Sequence, residues 1–424
     1  MAVPKFERPE NRGEYLYQYW RVAGRILRSA GLFVGVTIAN WTVAELEKRR
    51  FKRKLARGEK IWIDDIPKPP GAETQQIEGL RHVEADMTPR SELPKRKSRF
   101  LKAKSYPEPD YPFAYREPPT SGMVITGLGE TEKRRPHSLF FGLEYPWGGL
   151  FQVFFILGVP WSVKKTVLRI FWEDWRRVGA VARERQPVTD PVEMSEKIKA
   201  TAKECGAALV GITEPTDEMF FEEFDQSYKY AISVAVPMDR EEMSYTPSER
   251  SHLEVFRIYR EVGQVAINLA AQIRALGYPA RACTNIVPDA EEVLHIPVAV
   301  KAGLGELGKH NSMITKDHGA NVRLATVLTD LPLVPDEPID IGVNDFCMSC
   351  QICTTNCPPQ AIFEEKQMVR GEERWFVNFD RCVPYFSSNE TCGICIEVCP
   401  WSEPGRGEVL MNKMLARREK KDAS

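Results

Sequence analysis

Hydrophobic positions are arranged differently in the two halves of the chain. From about Pro191 onward they recur at regular periods. Met194–Cys205 predicts a helix that leads through Gly206 into a strand at Ala208–Ile212, and the apolar run Ala231–Val236 predicts a buried strand. Leu253–Leu276 predicts a long amphipathic helix that stops before Gly277. Its apolar face (Val255, Ile258, Val262, Val265, Leu269, Ile273 and Leu276) repeats every three or four residues. A second stripe, Tyr259, Gly263, Ala266 and Ala270, sets small residues under a tyrosine and leaves room for a neighbouring backbone or a flat cofactor. Ala280–Cys283 comes next, and Asn311–Thr315 and Arg323–Leu328 predict further strands. Between them Gly303, Gly305 and Gly308 spell Gly-x-Gly-x-x-Gly. A dinucleotide fingerprint follows a strand and opens a helix, whereas a strand-like segment follows here, so a turn hugging a cofactor or substrate is expected instead.

The first half shows dense apolar runs without that regularity. Ala30–Leu46 is shorter than the ~20 residues of a spanning helix and contains Asn40 and Glu45. Ser138–Val163 is rich in aromatics but interrupted by Glu144, Pro146, Gly148, Gly149, Gly158 and Pro160. Basic residues flank both runs at both ends: Arg21, Arg25 and Arg28 with Lys48 to Lys54, then Lys133 to Arg135 with Lys164 and Lys165. Symmetric basic flanks suit segments lying in the interface of an anionic membrane better than a single crossing, and ordinary core helices are the bland alternative. Lys60–Pro119 is rich in proline and charge, and reads as a long irregular segment. No secretory pattern is found: Met1–Gly13 is polar, and the basic pairs near Arg49 and Arg99 are followed by polar sequence. The expected location is therefore the cytoplasmic side of the membrane, or the cytoplasm.

A chain of 424 residues, 43% hydrophobic, can bury a large core and divide into two or three units. The formal charge of −1 gives no general case for a nucleic-acid partner. Cysteine changes the picture most. Eight of the ten fall between Cys347 and Pro400 in two CP-terminated runs. The first is Cys347-x-x-Cys350-x-x-Cys353-x-x-x-Cys357-Pro358. The second is Cys392-x-x-Cys395-x-x-x-Cys399-Pro400, with Cys382 displaced upstream. This is the bacterial ferredoxin spacing for two 4Fe–4S clusters, in which the last cysteine of each run serves the other run's cluster. One cluster then takes Cys347, Cys350, Cys353 and Cys399, and the other Cys382, Cys392, Cys395 and Cys357. Zinc sites and disulfide frameworks rarely use two such runs. Cys205 and Cys283 read as small core residues.

Two clusters alone would make a ferredoxin of far fewer residues, so the α/β region is expected to hold the electron acceptor. There is no Cys-x-x-Cys-His haem motif, and no Asp-x-His-x-x-Gly loop to give cobalt a histidine. The six histidines read as ordinary polar residues. The runs His295–Thr315 (HIPVAVKAGLGELGKHNSMIT) and Arg323–Cys347 (RLATVLTDLPLVPDEPIDIGVNDFC), followed by the cluster motifs, resemble the corrinoid-dependent reductive dehalogenases. Met194–Thr213 looks like the start of their corrinoid domain, and the likeness covers about Pro191–Pro400, roughly half the chain.

That resemblance implies an α/β (α+β) fold: a nitroreductase-like domain at 190–340 holding a base-off corrinoid, then a two-cluster ferredoxin-like domain at 341–404. An N-terminal region at 1–185 and a charged tail at 405–424 complete the organisation. It implies reduction of a carbon–halogen bond in an organohalide, with Tyr259 as catalytic acid and Arg323 as its basic partner. A phenol is a poor acid near neutrality, and a fixed guanidinium beside it favours the phenolate and eases proton donation. Asn285, Lys309, Asn311 and Ser312 match parts of the family's corrinoid pocket and are suited to its amides and phosphate. Because the chain ends soon after Pro400, a separate electron-donor protein or membrane reductase is expected. Two alternatives stand beside this reading. One is the related epoxyqueuosine reductase, which uses an acidic proton donor. The other is an electron carrier whose α/β domain is catalytically empty.

Overall fold

The computed structural model describes residues 127–136 and 159–422, apart from 223, 225–227 and 285–291, together with residues 53 and 57. The runs expected at Ala30–Leu46 and Lys60–Pro119, most of Ser138–Val163, and Asn285 lie outside the described residues. Among the described residues no helix is long and apolar enough to cross a membrane.

Helix α1 (Trp161–Asp174) runs into a short 3-10 turn at Trp175–Arg177. Helix α2 (Pro191–Glu204) starts where Asp190 accepts a hydrogen bond from the Val192 N–H at 2.8 Å and proline occupies the first turn. Strands β1 (Leu209–Thr213) and β2 (Tyr230–Pro237) follow within one residue of the expected positions. After the short helix α3 (Arg240–Ser244), α4 (Glu249–Ala275) begins a turn earlier than its apolar period suggested. The reason is a capping box: Ser248 and Ser251 satisfy each other's backbone N–H groups. Then come β3 (Ala280–Cys283), α5 (His295–Lys301), the two-residue strands β4 (Glu306–Leu307) and β5 (Met313–Ile314), and β6 (Val322–Thr329).

Four of these strands make one antiparallel sheet in the order β1-β2-β6-β3, with Val236 opposite Arg323 and Ala282 opposite Val327. The α4 face Val255, Ile258, Val262, Val265, Leu269 and Ile273 is buried against Ile232, Val234 and Val236 of β2 and Ala325 and Val327 of β6. Each such side chain contributes roughly 1.5–3 kcal/mol by leaving water. The opposite face of the sheet packs Ala235, Val322 and Leu324 against Ala299 and Ala302, at and just beyond α5. The sheet is thus sandwiched, and residues on alternate positions of β6 face different layers.

The glycine motif folds differently from the expected cofactor turn. Glycine at 305 lets the β4–β5 hairpin close, since a Cβ there would run into the Ile314 carbonyl. The motif therefore hugs this chain's own backbone.

The cysteine-rich segment is built from α6 (Val343–Ser349), α7 (Ile352–Asn356), the hairpin β7 (Gln367–Val369) with β8 (Glu372–Arg374), α8 (Phe379–Ser388) and α9 (Ile394–Glu397). It docks on the sheet domain at the turn before β6. Gly319 takes a φ of 56°, a Cβ there would strike the Trp401 carbonyl, and the Ala320 N–H donates to Ser402 Oγ at 3.2 Å. The charged stretch after Pro400 forms a helix, α10 (Arg406–Asp422), whose Leu410 and Met414 are buried.

Candidate active site and cluster sites

All ten cysteines are free thiols, and the eight of the two motifs lie in or against the core. Electrostatic contact sorts them into two sets. Cys353 feels Cys347, Cys399 and Cys350 and, least, Cys395, and Cys399 feels Cys347 and Cys350. Cys392 feels Cys395, Cys382 and Cys357, and Cys395 feels Cys357. Cys399 is thus felt by Cys353 of the first run, and Cys357 acts on Cys392 and Cys395 of the second. Burial pushes the Cys347 and Cys395 thiols up to about 12 and raises those of Cys350, Cys353, Cys382, Cys392 and Cys399 too. A dry thiol becomes a thiolate only with compensating positive charge and hydrogen bonds, and the fold supplies the latter. The Ala361 N–H donates to Cys357 Sγ at 3.2 Å. Backbone N–H groups of Lys309, Ile352, Ile394, Ile396 and Trp401 act on Cys347, Cys350, Cys392, Cys395 and Cys399 respectively. Among the described residues no three His, Cys, Asp or Glu side chains gather tightly as for a single metal ion. Two sets of four thiols in or against the core fit four-iron clusters, whose ligands stand further apart than those of one ion.

On the α4 side of the sheet, Tyr259 and Arg323 come together. The Arg323 guanidinium carbon lies 4.8 Å from the centre of the Tyr259 ring. They meet because Arg323 opens β6 on the face that α4 covers, sharing that face with Ala325 and Val327. Arg323 Nε is buried without a hydrogen-bond partner, and its charge is felt at Cys395. Phe256 packs edge-on to Tyr259 at 6.0 Å. The pair therefore stands between the second cysteine set and a shallow, open recess lined by Tyr259.

Tyr259, Gly263 and Ile267 of α4, Thr284 after β3, and Ile170, Glu173 and Asp174 of α1 line this recess. Of the small-residue stripe only its upper end faces open space. Gly263 lies opposite Thr284, while Ala266 and Ala270 are fully buried in the core. The two carboxylates are engaged: Glu173 accepts from Arg260 Nε at 2.8 Å and Gln264 at 3.1 Å, and Asp174 pairs with Arg177 at 3.1 Å and accepts from Thr284 at 2.7 Å. The recess lining was not legible in the sequence beyond Tyr259 and Gly263, because α1 and α4 are 87 positions apart at the Arg260–Glu173 contact.

Lys309, Asn311 and Ser312 form the tip of the β4–β5 hairpin, where Asn311 takes a φ of 59° and the Gly308 N–H donates to the Ser312 carbonyl. Lys309, expected as a corrinoid contact, lies against the first cysteine set. Only 1% exposed, its Nζ donates to the Glu364 carbonyl at 2.8 Å, lies 4.9 Å from the Trp375 ring centre, and is felt by Cys353, Cys347 and Cys350. Burial lowers its pKa, against the pull of those sulfurs. The buried histidines are also engaged: His252 with Glu390, His295 with Thr326, and His310 with the Ser312 N–H. Among the described residues the recess lining includes no histidine.

Fold and site together define an iron–sulfur redox protein, a dicluster module wired to an α/β domain with a tyrosine–arginine pair. Residues 346–402 match the family described as a 4Fe-4S dicluster domain, so the chain carries that domain and its two clusters. By sequence and fold the chain is similar to the corrinoid-dependent reductive dehalogenases. It is 28% identical over 330 residues to a tetrachloroethene reductive dehalogenase of Sulfurospirillum multivorans, covering 66% of this chain and 64% of that protein. It is 35% identical over 188 residues to one of Desulfitobacterium hafniense, covering 41% of this chain and 33% of that protein. A solved structure titled "Reductive dehalogenase structure suggests a mechanism for B12-dependent dehalogenation" matches with a TM-score of 0.54 and 26% identity, covering 62% of this chain and 40% of that one. The chain thus spans less than two thirds of the relatives it matches. The first alignment covers more of the chain than the half in which the resemblance was legible.

Proposed function

We propose that the chain is a reductive dehalogenase, with Tyr259 as proton donor, Arg323 as its charge partner and the eight cysteines as ligands of two 4Fe–4S clusters. The observation that carries this reading is the Arg323 guanidinium stacked 4.8 Å from the Tyr259 ring, beside a recess and within electrostatic reach of Cys395. The names of the two relatives support an organohalide substrate, and the B12-dependent structure supports a corrinoid as cofactor. Arg323 Nε, buried and without a hydrogen-bond partner, is available to such a cofactor. Asn311 and Ser312 at the hairpin tip, with Asn285, are proposed contacts for its side chains. The corrinoid, when bound, supplies the metal centre at which the carbon–halogen bond is cleaved.

The balance is two electrons and one proton in, and a halide ion and a carbon–hydrogen bond out. Each cluster passes one electron at a time. The set with Cys395 is the one beside the Tyr259–Arg323 pair, so electrons leave the module there. A separate donor protein replenishes them. Tyr259 Oη gives the proton to carbon, and Arg323 holds the phenolate that results. The domain limits 190–340 and 341–404 are proposed on the same basis. An epoxyqueuosine-reductase reading needs an acidic donor at the recess. Glu173 and Asp174 are held in ion pairs there, which favours the tyrosine chemistry.

Tyr259→Phe in anaerobically prepared protein tests the assignment. Turnover is expected to fall roughly 100-fold or more, the range for removing a general acid, with iron and cobalt content unchanged. Full activity in that variant would remove Tyr259 from the acid role.

A further inference from the structure

The sheet domain reaches into the cysteine-rich segment where the backbone of that segment is under most strain. Glu390, Thr391 and Cys392 take φ of 46°, 62° and 45°, and Gly393 follows at 78°. Successive left-handed residues with side chains persist only where their surroundings hold them. The segment itself supplies two backbone bonds. The Thr391 N–H donates to the Phe386 carbonyl at 3.1 Å, and the Cys392 N–H to that of Asn389 at 2.7 Å. The rest of the hold comes from the corner between α3 and α4. His252, fully buried, places Nδ1 2.7 Å from Glu390 Oε2. Thr246 Oγ1 donates to the Cys392 carbonyl, and a Cβ added to Gly393 would meet the same hydroxyl at 2.9 Å. Arg240 of α3 adds a third tether beyond the last ligand, pairing with Glu403 at 2.7 Å.

We propose that the α3–α4 corner completes the second cluster's site, with His252 and Thr246 as positioning residues that set its reduction potential. The left-handed run turns the chain into α9, whose Ile394 N–H acts on Cys392 and whose Ile396 N–H acts on Cys395. Donors aimed at cluster sulfur stabilise the reduced, more negative state and so raise the potential. The contacts from His252 and Thr246 keep the run folded, and with it those donors in place. The corner lies more than 130 positions upstream of the loop it holds, and it contributes no ligand, so the cysteine spacing gives no sign of it. A second consequence rests on the reading of Tyr259 as proton donor. His252 and Tyr259 stand seven positions apart on one side of α4, with Phe256 between them. The Phe256 ring centre is 5.2 Å from that of His252 and 6.0 Å from that of Tyr259. The helix that carries the acid is thus pinned to the loop that carries Cys392, which fixes the second cluster against the site it feeds.

Redox titration of the full-length, cluster-loaded protein at one pH, followed by electron paramagnetic resonance, tests the corner. No substrate enters the measurement, so failure of the dehalogenase reading would leave its result untouched. The signal altered in Cys382→Ser marks the second cluster. His252→Phe keeps a ring but loses the bond to Glu390. In this variant the one-electron equilibrium of the second cluster is expected to move on the order of tenfold toward the oxidised state, a fall of about 59 mV. His252→Gln, which keeps a donor, should restore most of it. Thr246→Val carries the same expectation and Thr246→Ser the same rescue, so the test does not depend on how well one variant folds. The first cluster should keep its parent potential throughout. A second-cluster potential unchanged or raised in both His252→Phe and Thr246→Val would overturn the proposal and reduce the corner to packing. Equal shifts of both clusters would also overturn it, as a general loosening of the segment.

Discussion

Lys309 shows how far a residue's role depends on what folds around it. In sequence it is a polar donor two positions from Asn311. In the fold its ammonium is dry, stacked near Trp375 and facing three cluster sulfurs. A unit positive charge stabilises the reduced, more negative state of a cluster. Lys309→Met should therefore lower the midpoint potential of one cluster by several tens of millivolts, the scale of a nearby charge at an effective dielectric of about 20. A redox titration followed by electron paramagnetic resonance would read this, and an unchanged potential would sever Lys309 from the cluster. His295 makes a second residue-scale case. Burial alone holds its pKa down to about 4, and its Nδ1 lies 2.8 Å from Thr326 Oγ1. The unfolded chain binds that proton near pH 6.5, so the neutral histidine's contribution is intact above that value and is lost as pH falls. From about pH 7.5 to 5.5 stability should drop by roughly 1 kcal/mol on this account, and His295→Gln should flatten the slope of the melting temperature.

At the scale of elements, the strands and long helices were legible because burial imposes period. β2, β6 and α4 lie within a few residues of their predicted limits, and every predicted core position of α4 from Val255 to Ile273 is buried. The short pieces were less so. Asn311–Thr315, expected as a strand, pairs with β4 only at Met313–Ile314; Asn311 and Ser312 form the hairpin tip, and Thr315 bridges to Gly319. The charged tail after Pro400 carries few apolar residues, yet two of them are enough to dock α10. The turn at Gly319 is the joint between the sheet domain and the cluster segment, and no local pattern marks it. Gly319→Ala would force both a left-handed alanine and a collision with the Trp401 carbonyl. Lower thermal stability by about 1 kcal/mol or more and faster loss of cluster absorbance in air are expected; a variant as stable as the parent would deny the joint its importance.

Across the whole molecule, the same logic separates what sequence could say from what it could not. Two CP-terminated runs define clusters because eight thiolates at that spacing have few other uses. Tyr259 and Arg323 are 64 positions apart, and either alone reads as a core tyrosine or a strand arginine. Only the resemblance paired them, and the fold sets one over the other. The recess itself needed α1, whose contribution no motif announced. The arrangement that results runs from the first cysteine set to the second, then to the pair, then to the recess. The central claim is that this line ends in cleavage of a carbon–halogen bond. The most direct measurement is halide release by the cluster- and corrinoid-loaded protein, reduced by a low-potential dye and given a chlorinated alkene. The account predicts one halide and one dechlorinated product for every two electrons consumed. Electron uptake without halide, in protein carrying its full iron and cobalt, would contradict it.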